Sequence, residues 1–176
     1  MTAPVGSISF ARCPLFHGMT PAEREEIISL LEPQSFSPED TILAEGPTLQ
    51  CLWILMKGTV RVVKSLSNGQ VQELTRLEPL SVFGEMSFFA PAPHSASVQA
   101  VSAVEVTRLP RERYDMLLRT GSLAAYKLAY NTVGVLSERL RRMDELAAKI
   151  NDGTPPIAHR EELREFHSKL YSGWQF

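Results

Sequence analysis

The sequence lacks the features of a membrane protein, a disulfide-rich protein and a zinc protein. Its longest uninterrupted apolar run covers residues 51–56, whereas a membrane-spanning helix needs roughly 18 or more apolar residues. The chain does not open with a basic start and an apolar stretch, the pattern of a secretory signal. The two cysteines, Cys13 and Cys51, are too few for a disulfide framework or a zinc site. We therefore expect a cytoplasmic protein with no membrane span and no bound metal, in which Cys51 is a buried apolar residue.

Sequence signatures of catalysis and of nucleic-acid binding are also missing. The chain has no Gly-x-x-x-x-Gly-Lys-Ser/Thr loop, no Gly-x-Ser-x-Gly motif and no His-Glu-x-x-His motif. Its formal net charge is −2, whereas proteins that neutralise nucleic-acid phosphates usually carry a basic surface. We expect a protein that is not an enzyme, needs no cofactor and does not bind DNA.

The length of 176 residues allows one ordinary domain and an appendage, since a domain usually has roughly 100–200 residues. We divide the chain into residues 1–120, a long helix at 121–150 and a tail at 151–176. The tail begins with a linker-like run and then shows helical spacing over residues 159–171. It is shorter than the roughly 40 residues that fold alone. We expect an accessory helix or a docking segment, with no room for a DNA-binding domain.

A helix signal stands near the beginning of the chain. Thr20-Pro-Ala-Glu23 combines an N-cap hydroxyl, a first-turn proline and a capping-box glutamate, which predicts a helix over residues 21–31. Pro33 should end this helix. An apolar turn at residues 13–16 precedes the helix and can pack beside it.

Between residues 34 and 109 the chain is typical of antiparallel β structure. Short runs rich in Val, Ile, Leu, Thr and aromatic residues are separated by Gly, Pro and Asn. Strands are predicted at 52–56, at 59–65 and over 97–109, and Asn68-Gly69 predicts a type I′ hairpin turn. This spacing favours a barrel or a double-sheet roll over a parallel α/β sheet.

Two further helices are predicted, over residues 111–119 and 122–150. The longer one carries an apolar seam with alternating spacings of three and four residues, the pattern of helices that pack against each other. The seam consists of Tyr126, Ala129, Val133, Leu136, Leu140, Met143, Ala147 and Ile150. A second stripe leaves one face for the β core and one for another subunit, so we expect a homodimer through residues 126–150. Packing of the seam on the β core is the alternative.

The stretch over residues 82–98 carries the candidate ligand-binding chemistry. Gly84 allows close approach of the backbone to a ligand, and residues 84–89 can form a helical turn whose N–H groups attract an anion. Glu85 can accept hydrogen bonds from hydroxyl groups. The donors that could converge on the same phosphate-sized space are His94, Ser95 and the backbone around Ala96.

In these residues the chain resembles the cyclic nucleotide-binding domain family, which includes catabolite-activator-type regulators, kinase regulatory subunits and gated channels. The resemblance extends from about residue 15 to residue 150. It rests on the order and spacing of Leu15-Phe16, Glu45-Gly46, the strand pair at 53–62, Phe83-Gly-Glu85, His94-Ser-Ala-Ser-Val98 and the long helix.

The resemblance implies a mainly β fold, an eight-stranded antiparallel β-roll with N-terminal helices and a long C-terminal dimerisation helix. It also implies a phosphate-binding cassette in which Gly84 and Glu85 contact the ribose 2′-hydroxyl and the phosphate, while the long helix closes over the base. The residues expected to bind the ligand are Phe83, Gly84, Glu85, Met86, His94, Ser95, Ala96, Arg139 and Met143.

His94 departs from the family pattern, because the cassette typically has an arginine that pairs with the cyclic phosphate. A neutral histidine lacks that charge-assisted hydrogen bond, which is worth roughly 1.5–3 kcal/mol. If the imidazole holds the phosphate, binding should be tighter at about pH 6 than at about pH 8.

These observations predict a non-catalytic regulatory module that binds a cyclic nucleotide such as cAMP or cGMP and signals through its long helix to an effector protein. The alternative is a degenerate domain of the same fold that no longer binds nucleotide and acts as a protein-interaction scaffold.

Overall fold

The computed structural model describes residues 10–152, with side chains described over 10–145. The chain divides into two compact units, one that ends at Thr132 and one that begins at Val133, inside the last helix. The helix predicted over residues 159–171 lies outside the described residues.

Eight antiparallel strands form two four-stranded sheets, which confirms the predicted double-sheet roll. In strand order, the first sheet consists of β1 (Glu32–Phe36), β8 (Val104–Pro110), β3 (Cys51–Lys57) and β6 (Val82–Phe83). The second sheet consists of β2 (Thr41–Leu43), β7 (Ser97–Ala100), β4 (Val60–Ser65) and β5 (Val71–Leu77).

Strand β3 contributes to both apolar clusters of the domain. Leu52 and Ile54 pack in the cluster that includes the helices. Cys51, Trp53 and Leu55 point the other way, into the cluster formed by residues of both sheets. Because successive side chains of a strand face opposite sides, a strand that is buried on both sides reads as an unbroken apolar run.

The first α-helix, α1, spans Pro21–Ile28 and has the predicted capping box. The Thr20 N–H donates to the Glu23 carboxylate at 2.7 Å, and the Thr20 hydroxyl accepts from the Glu23 N–H at 3.3 Å. The helix ends earlier than residue 31, the predicted end. Pro33 belongs to β1, which is an edge strand of its sheet and therefore tolerates a residue without an N–H donor.

The hairpin between β4 and β5 is confirmed, but its predicted turn type is wrong. A type I′ turn requires positive φ at both central residues, and of Asn68 and Gly69 only Gly69 has it, at +80°. The Leu66 N–H donates to the Gln70 carbonyl at 2.8 Å, and the Gly69 N–H donates to the Leu66 carbonyl at 2.9 Å. The connection is thus a three-residue loop that ends in a left-handed glycine.

The single strand predicted over residues 97–109 is wrong. The segment forms β7 and β8, which lie in different sheets. Between them, the Val101 N–H donates to the Thr59 carbonyl at 2.9 Å as the chain crosses over. The apolar alternation continues across the break because Val98, Ala100, Val104 and Val106 all belong to the same interior cluster.

The remaining helices are α2 (Glu85–Phe89), α3 (Arg111–Arg119) and α4 (Leu123–Asp152). The long helix and the helix at 111–119 confirm the prediction. Asn131 of α4 donates from its side-chain amide to the carbonyls of Leu15 at 2.8 Å and His17 at 2.9 Å. These contacts attach the amino-terminal part of α4 to the short 3-10 helix at Pro14–Phe16.

Candidate functional site

Gly84 connects β6 to α2 and is required there for two physical reasons. Its φ of +78° lies in the left-handed region that disfavours side chains. A Cβ at this position would lie 2.6 Å from the Cys51 carbonyl oxygen and 2.8 Å from Cδ1 of Trp53. The close approach that glycine permits is therefore to β3, and it fixes where the amino end of α2 begins.

The first turn of α2 alternates buried and exposed side chains. Glu85 is 4% exposed and is the one acidic side chain that is buried among residues 10–145. Met86 is 62% exposed, and Ser87 is buried again. Phe83, just before the turn, stacks on Trp53 with ring centroids 5.9 Å apart, so it supports the site from the interior cluster.

His94 is buried and bridges two segments of the chain. Its Nε2 accepts a hydrogen bond from the Leu49 N–H at 3.2 Å, so Nδ1 carries the proton of the neutral ring. Nδ1 then donates to the Ser87 hydroxyl oxygen at 2.9 Å, and that hydroxyl donates to the Gly84 carbonyl at 3.3 Å. This chain of hydrogen bonds joins residues 49, 94 and 87 to the glycine turn.

The environment of His94 favours the neutral imidazole. Burial lowers the pKa of His94 below its ordinary value, because a charged ring loses its hydration there. Both ring nitrogens have partners within the protein. Tighter binding at low pH is predicted only if the imidazole holds the phosphate, and that contact stays a prediction; the geometry described here favours the neutral ring.

Residues 94–97 are held in place by the loop at Glu45 and Gly46. The Gly46 N–H donates to the His94 carbonyl at 3.0 Å, and the Glu45 N–H donates to the Ser97 hydroxyl at 2.9 Å. Ser95 itself is exposed and Ala96 is half-buried. The serine hydroxyl and the backbone after it are therefore presented at the surface of an anchored segment.

Lys64 of β4 contacts this segment and was missed in the sequence. Its Nζ donates to the Ser95 carbonyl and to Oε1 of Glu45, each at 2.5 Å. Oε2 of Glu45 accepts from the Ser65 N–H at 2.9 Å. The hydrogen bond from Lys64 is the main cause that lowers the pKa of Glu45. An alternating strand pattern gave no signal that this lysine meets residue 95.

Arg139 and Met143 lie on the part of α4 that belongs to the second compact unit. Arg139 is half-buried, and Met143 is 43% exposed. Their contact with a nucleotide base stays a prediction.

Two buried polar atoms within residues 10–145 have no hydrogen-bond partner, Nε1 of Trp53 and Oγ1 of Thr107.

The described residues contain no group of His, Cys, Asp and Glu side chains that could hold a metal ion. Over the same part of the chain, no helix combines the length and apolar character needed to cross a membrane.

Comparisons with known proteins agree with the fold. The cyclic AMP receptor protein of Thermus thermophilus is 35% identical over 131 residues, which cover 74% of this chain and 59% of that protein. A cAMP-dependent protein kinase regulatory subunit of Hypocrea atroviridis is 34% identical over 105 residues, which cover 60% of this chain and 22% of that protein. The chain thus spans about three-fifths or less of the length of these curated relatives.

A solved structure gives the same result in three dimensions. The crystal structure of the Thermus thermophilus catabolite activator protein superposes with a TM-score of 0.69 and 32% identity, and the match covers 78% of this chain and 63% of that one. The sequence profile of the cyclic nucleotide-binding domain matches residues 33–121, which include β2 to β8, Gly84 and all of β1 except its first residue. The chain therefore belongs to the family of cyclic nucleotide-binding domains.

Proposed function

We propose that this domain is a non-catalytic regulatory module of the cytoplasm that binds a cyclic nucleotide such as cAMP or cGMP. In this proposal the ligand lies between the first turn of α2 and residues 94–96. Binding changes the surface that α4 presents to an effector protein.

The observation that supports this proposal most strongly is the hydrogen-bond chain through His94. It ties the residue-94 segment to Ser87 in the first turn of α2 and to Leu49 in the loop before β3. Ser87 and His94 are both buried, at 2% and 7% exposure. A site assembled before the ligand arrives loses less conformational entropy on binding.

The donors and acceptors of this site suit the two polar parts of a cyclic nucleotide. Glu85 supplies a carboxylate acceptor for a ribose hydroxyl, since an ionised carboxylate only accepts hydrogen bonds. Ser95 supplies a hydroxyl donor for the phosphate, together with the backbone N–H of Ala96. His94 then acts as a positioning residue that holds Ser95 in place, and its ring does not contact the phosphate.

Helix α4 is proposed to transmit the binding event and to form a homodimer. Its amino-terminal part carries exposed apolar side chains, namely Tyr126 at 56%, Tyr130 at 79% and Val133 at 61% exposure. Spacings of three and four residues place side chains on one helix face. A ligand that binds one arrangement of α4 more tightly shifts the population toward it, and contacts from Arg139 and Met143 to the base would provide that difference.

Thermal unfolding with a panel of ligands tests the proposal. cAMP, cGMP and cyclic dinucleotides are compared with 5′-AMP, which has the same base and sugar but an opened phosphate. At a hundredfold excess over its dissociation constant, a ligand that binds only the folded state stabilises it by about 2.7 kcal/mol. We expect a cyclic nucleotide to raise the melting temperature and 5′-AMP to leave it unchanged. No shift with any cyclic nucleotide at saturation would contradict the proposal and favour the scaffold function.

A further inference from the structure

His94 does not supply a positive charge to the anion site proposed above. A cyclic phosphate carries one negative charge, whereas two hydrogen bonds within the protein favour the neutral His94 ring and burial lowers its pKa. A charged donor strengthens a hydrogen bond to phosphate roughly twofold over a neutral one. Another cation beside residues 94–96 would supply the missing charge.

We propose that Lys64 is this cation and that it pairs with the ligand phosphate, while Glu45 holds it in place in the absence of ligand. The proposal rests on the proposed function. Lys64 donates to the carbonyl of Ser95 at 2.5 Å, so its ammonium group lies beside the peptide that joins Ser95 to Ala96. That peptide is trans, so the Ala96 N–H points to its opposite side, and Lys64 would turn to share a phosphate with it.

The chemistry of Lys64 fits this role. An ammonium group has three donors, and two of them are used by Ser95 and Glu45. The side chain is 40% exposed, so an incoming anion can reach it from solvent. A lysine is a point charge on a flexible stem, which can turn toward a phosphate without a change in the strand that carries it.

Two arginines on neighbouring elements, Arg61 and Arg111, form hydrogen bonds with groups outside residues 94–97. Arg61, on the same strand as Lys64, donates to Glu39 at 2.6 Å and to Gln99 at 3.1 Å. Arg111 donates to Asp115 and to the Phe88 carbonyl, both at 2.8 Å. Among the described residues, Lys64 is thus the cation with a direct hydrogen bond to the segment 94–97.

Glu45 makes the proposal distinguishable from a merely structural ion pair. Its carboxylate and the ligand phosphate would share one ammonium group, so Glu45 competes with the ligand. Removal of its charge should strengthen anion binding, whereas removal of the Lys64 charge should weaken it. If the ion pair were only structural, removal of either charge would change the ligand affinity in the same direction.

Calorimetric titration with cAMP tests this with K64M, E45Q and, as a matched cation on the same strand, R61M. We expect K64M to bind about tenfold or more weakly, because a charge-assisted hydrogen bond is lost. E45Q should bind more tightly than the wild type, since glutamine keeps an acceptor for the Ser65 N–H but no charge, and R61M should match the wild type. The salt dependence of binding should also weaken in K64M alone.

Wild-type affinity in K64M, or an E45Q affinity that is not above that of the wild type, would overturn the role of Lys64 and leave the proposed function intact. A wild-type protein that binds no cyclic nucleotide would overturn both. The melting temperature of each ligand-free variant shows whether that variant is folded. Lys64 is partly exposed, so we expect K64M to fold. If K64M does not fold, E45Q still gives an independent result.

Discussion

Nδ1 of His94 lies 2.9 Å from the hydroxyl oxygen of Ser87, and this buried contact joins the two segments that carry the candidate binding residues. The opposite ring nitrogen accepts from the Leu49 N–H. A protonated ring has no acceptor nitrogen, so protonation breaks the contact with Leu49. The hydrogen-bond chain therefore makes the domain sensitive to acid.

Stability should fall below about pH 6.5, and His94 should cause part of the fall. Burial lowers the pKa of His94 in the folded state below the ordinary value of 6.5. Above that value His94 is neutral in both the folded and the unfolded chain, and the full stability is present. As the pH falls from about 6.5 through the folded-state pKa, the unfolded chain binds a proton that the folded chain resists. Stability is then lost by at most about 1.4 kcal/mol per pH unit.

Urea unfolding between about pH 8 and pH 5.5 measures this effect. We expect H94Q to be less stable than the wild type at the upper end and to lose less stability on acidification. H17N, at an exposed histidine, is the matched control and should keep the wild-type pH profile. An equal change of unfolding free energy with pH in H94Q and the wild type would contradict the role of His94 as a neutral bridge.

Gly84→Ala should destabilise the domain far more than Gly69→Ala. Both glycines have positive φ, +78° and +80°, so both substitutions cost about 1 kcal/mol or more of backbone strain. Only at Gly84 would the new Cβ meet other atoms, namely the Cys51 carbonyl oxygen and Trp53. We expect a loss of about 3 kcal/mol in the free energy of unfolding for G84A.

Chemical denaturation of both variants checks this difference. Because the overlap at Gly84 also displaces the amino end of α2, the G84A variant that remains folded should bind cyclic nucleotide poorly. A G84A variant as stable as G69A would show that β3 does not require glycine at the turn.

Leu136→Glu should convert a dimer into a monomer. Position 136 belongs to the seam predicted along α4, and a carboxylate there is costly in an apolar contact between helices. The matched control is E138Q, two residues further on and therefore about 200° around the helix, where Glu138 pairs with Arg141 and Arg142. Sedimentation velocity is the measurement. A wild-type monomer, or a dimer that L136E leaves intact, would contradict the proposed interface.

Sequence patterns predicted the elements whose signals are local. The capping box at Thr20 and Glu23 is one such signal, since both residues and their partners lie within a single turn. The long helix α4 is another, because its seam repeats over many residues. The predictions of these two elements were correct because local chemistry and tertiary packing favour the same structure.

The parts that sequence patterns missed depend on residues distant in the chain. His94 receives its hydrogen bond from Leu49, 45 positions away, and Lys64 contacts Ser95, 31 positions away. No periodicity reports such pairs. The break between β7 and β8 was hidden for a different reason, because the residues on either side of it face one shared apolar cluster and so keep the alternation of a single strand.

The most direct test is calorimetric titration of the wild type and of E85A with cAMP and with 2′-deoxy-cAMP. If Glu85 accepts a hydrogen bond from the ribose 2′-hydroxyl, the wild type should bind cAMP about tenfold or more tightly than its deoxy analogue. E85A should bind both ligands equally and weakly. Absence of cAMP binding by the wild type, or equal affinity of the wild type for both ligands, would contradict the proposed nucleotide site.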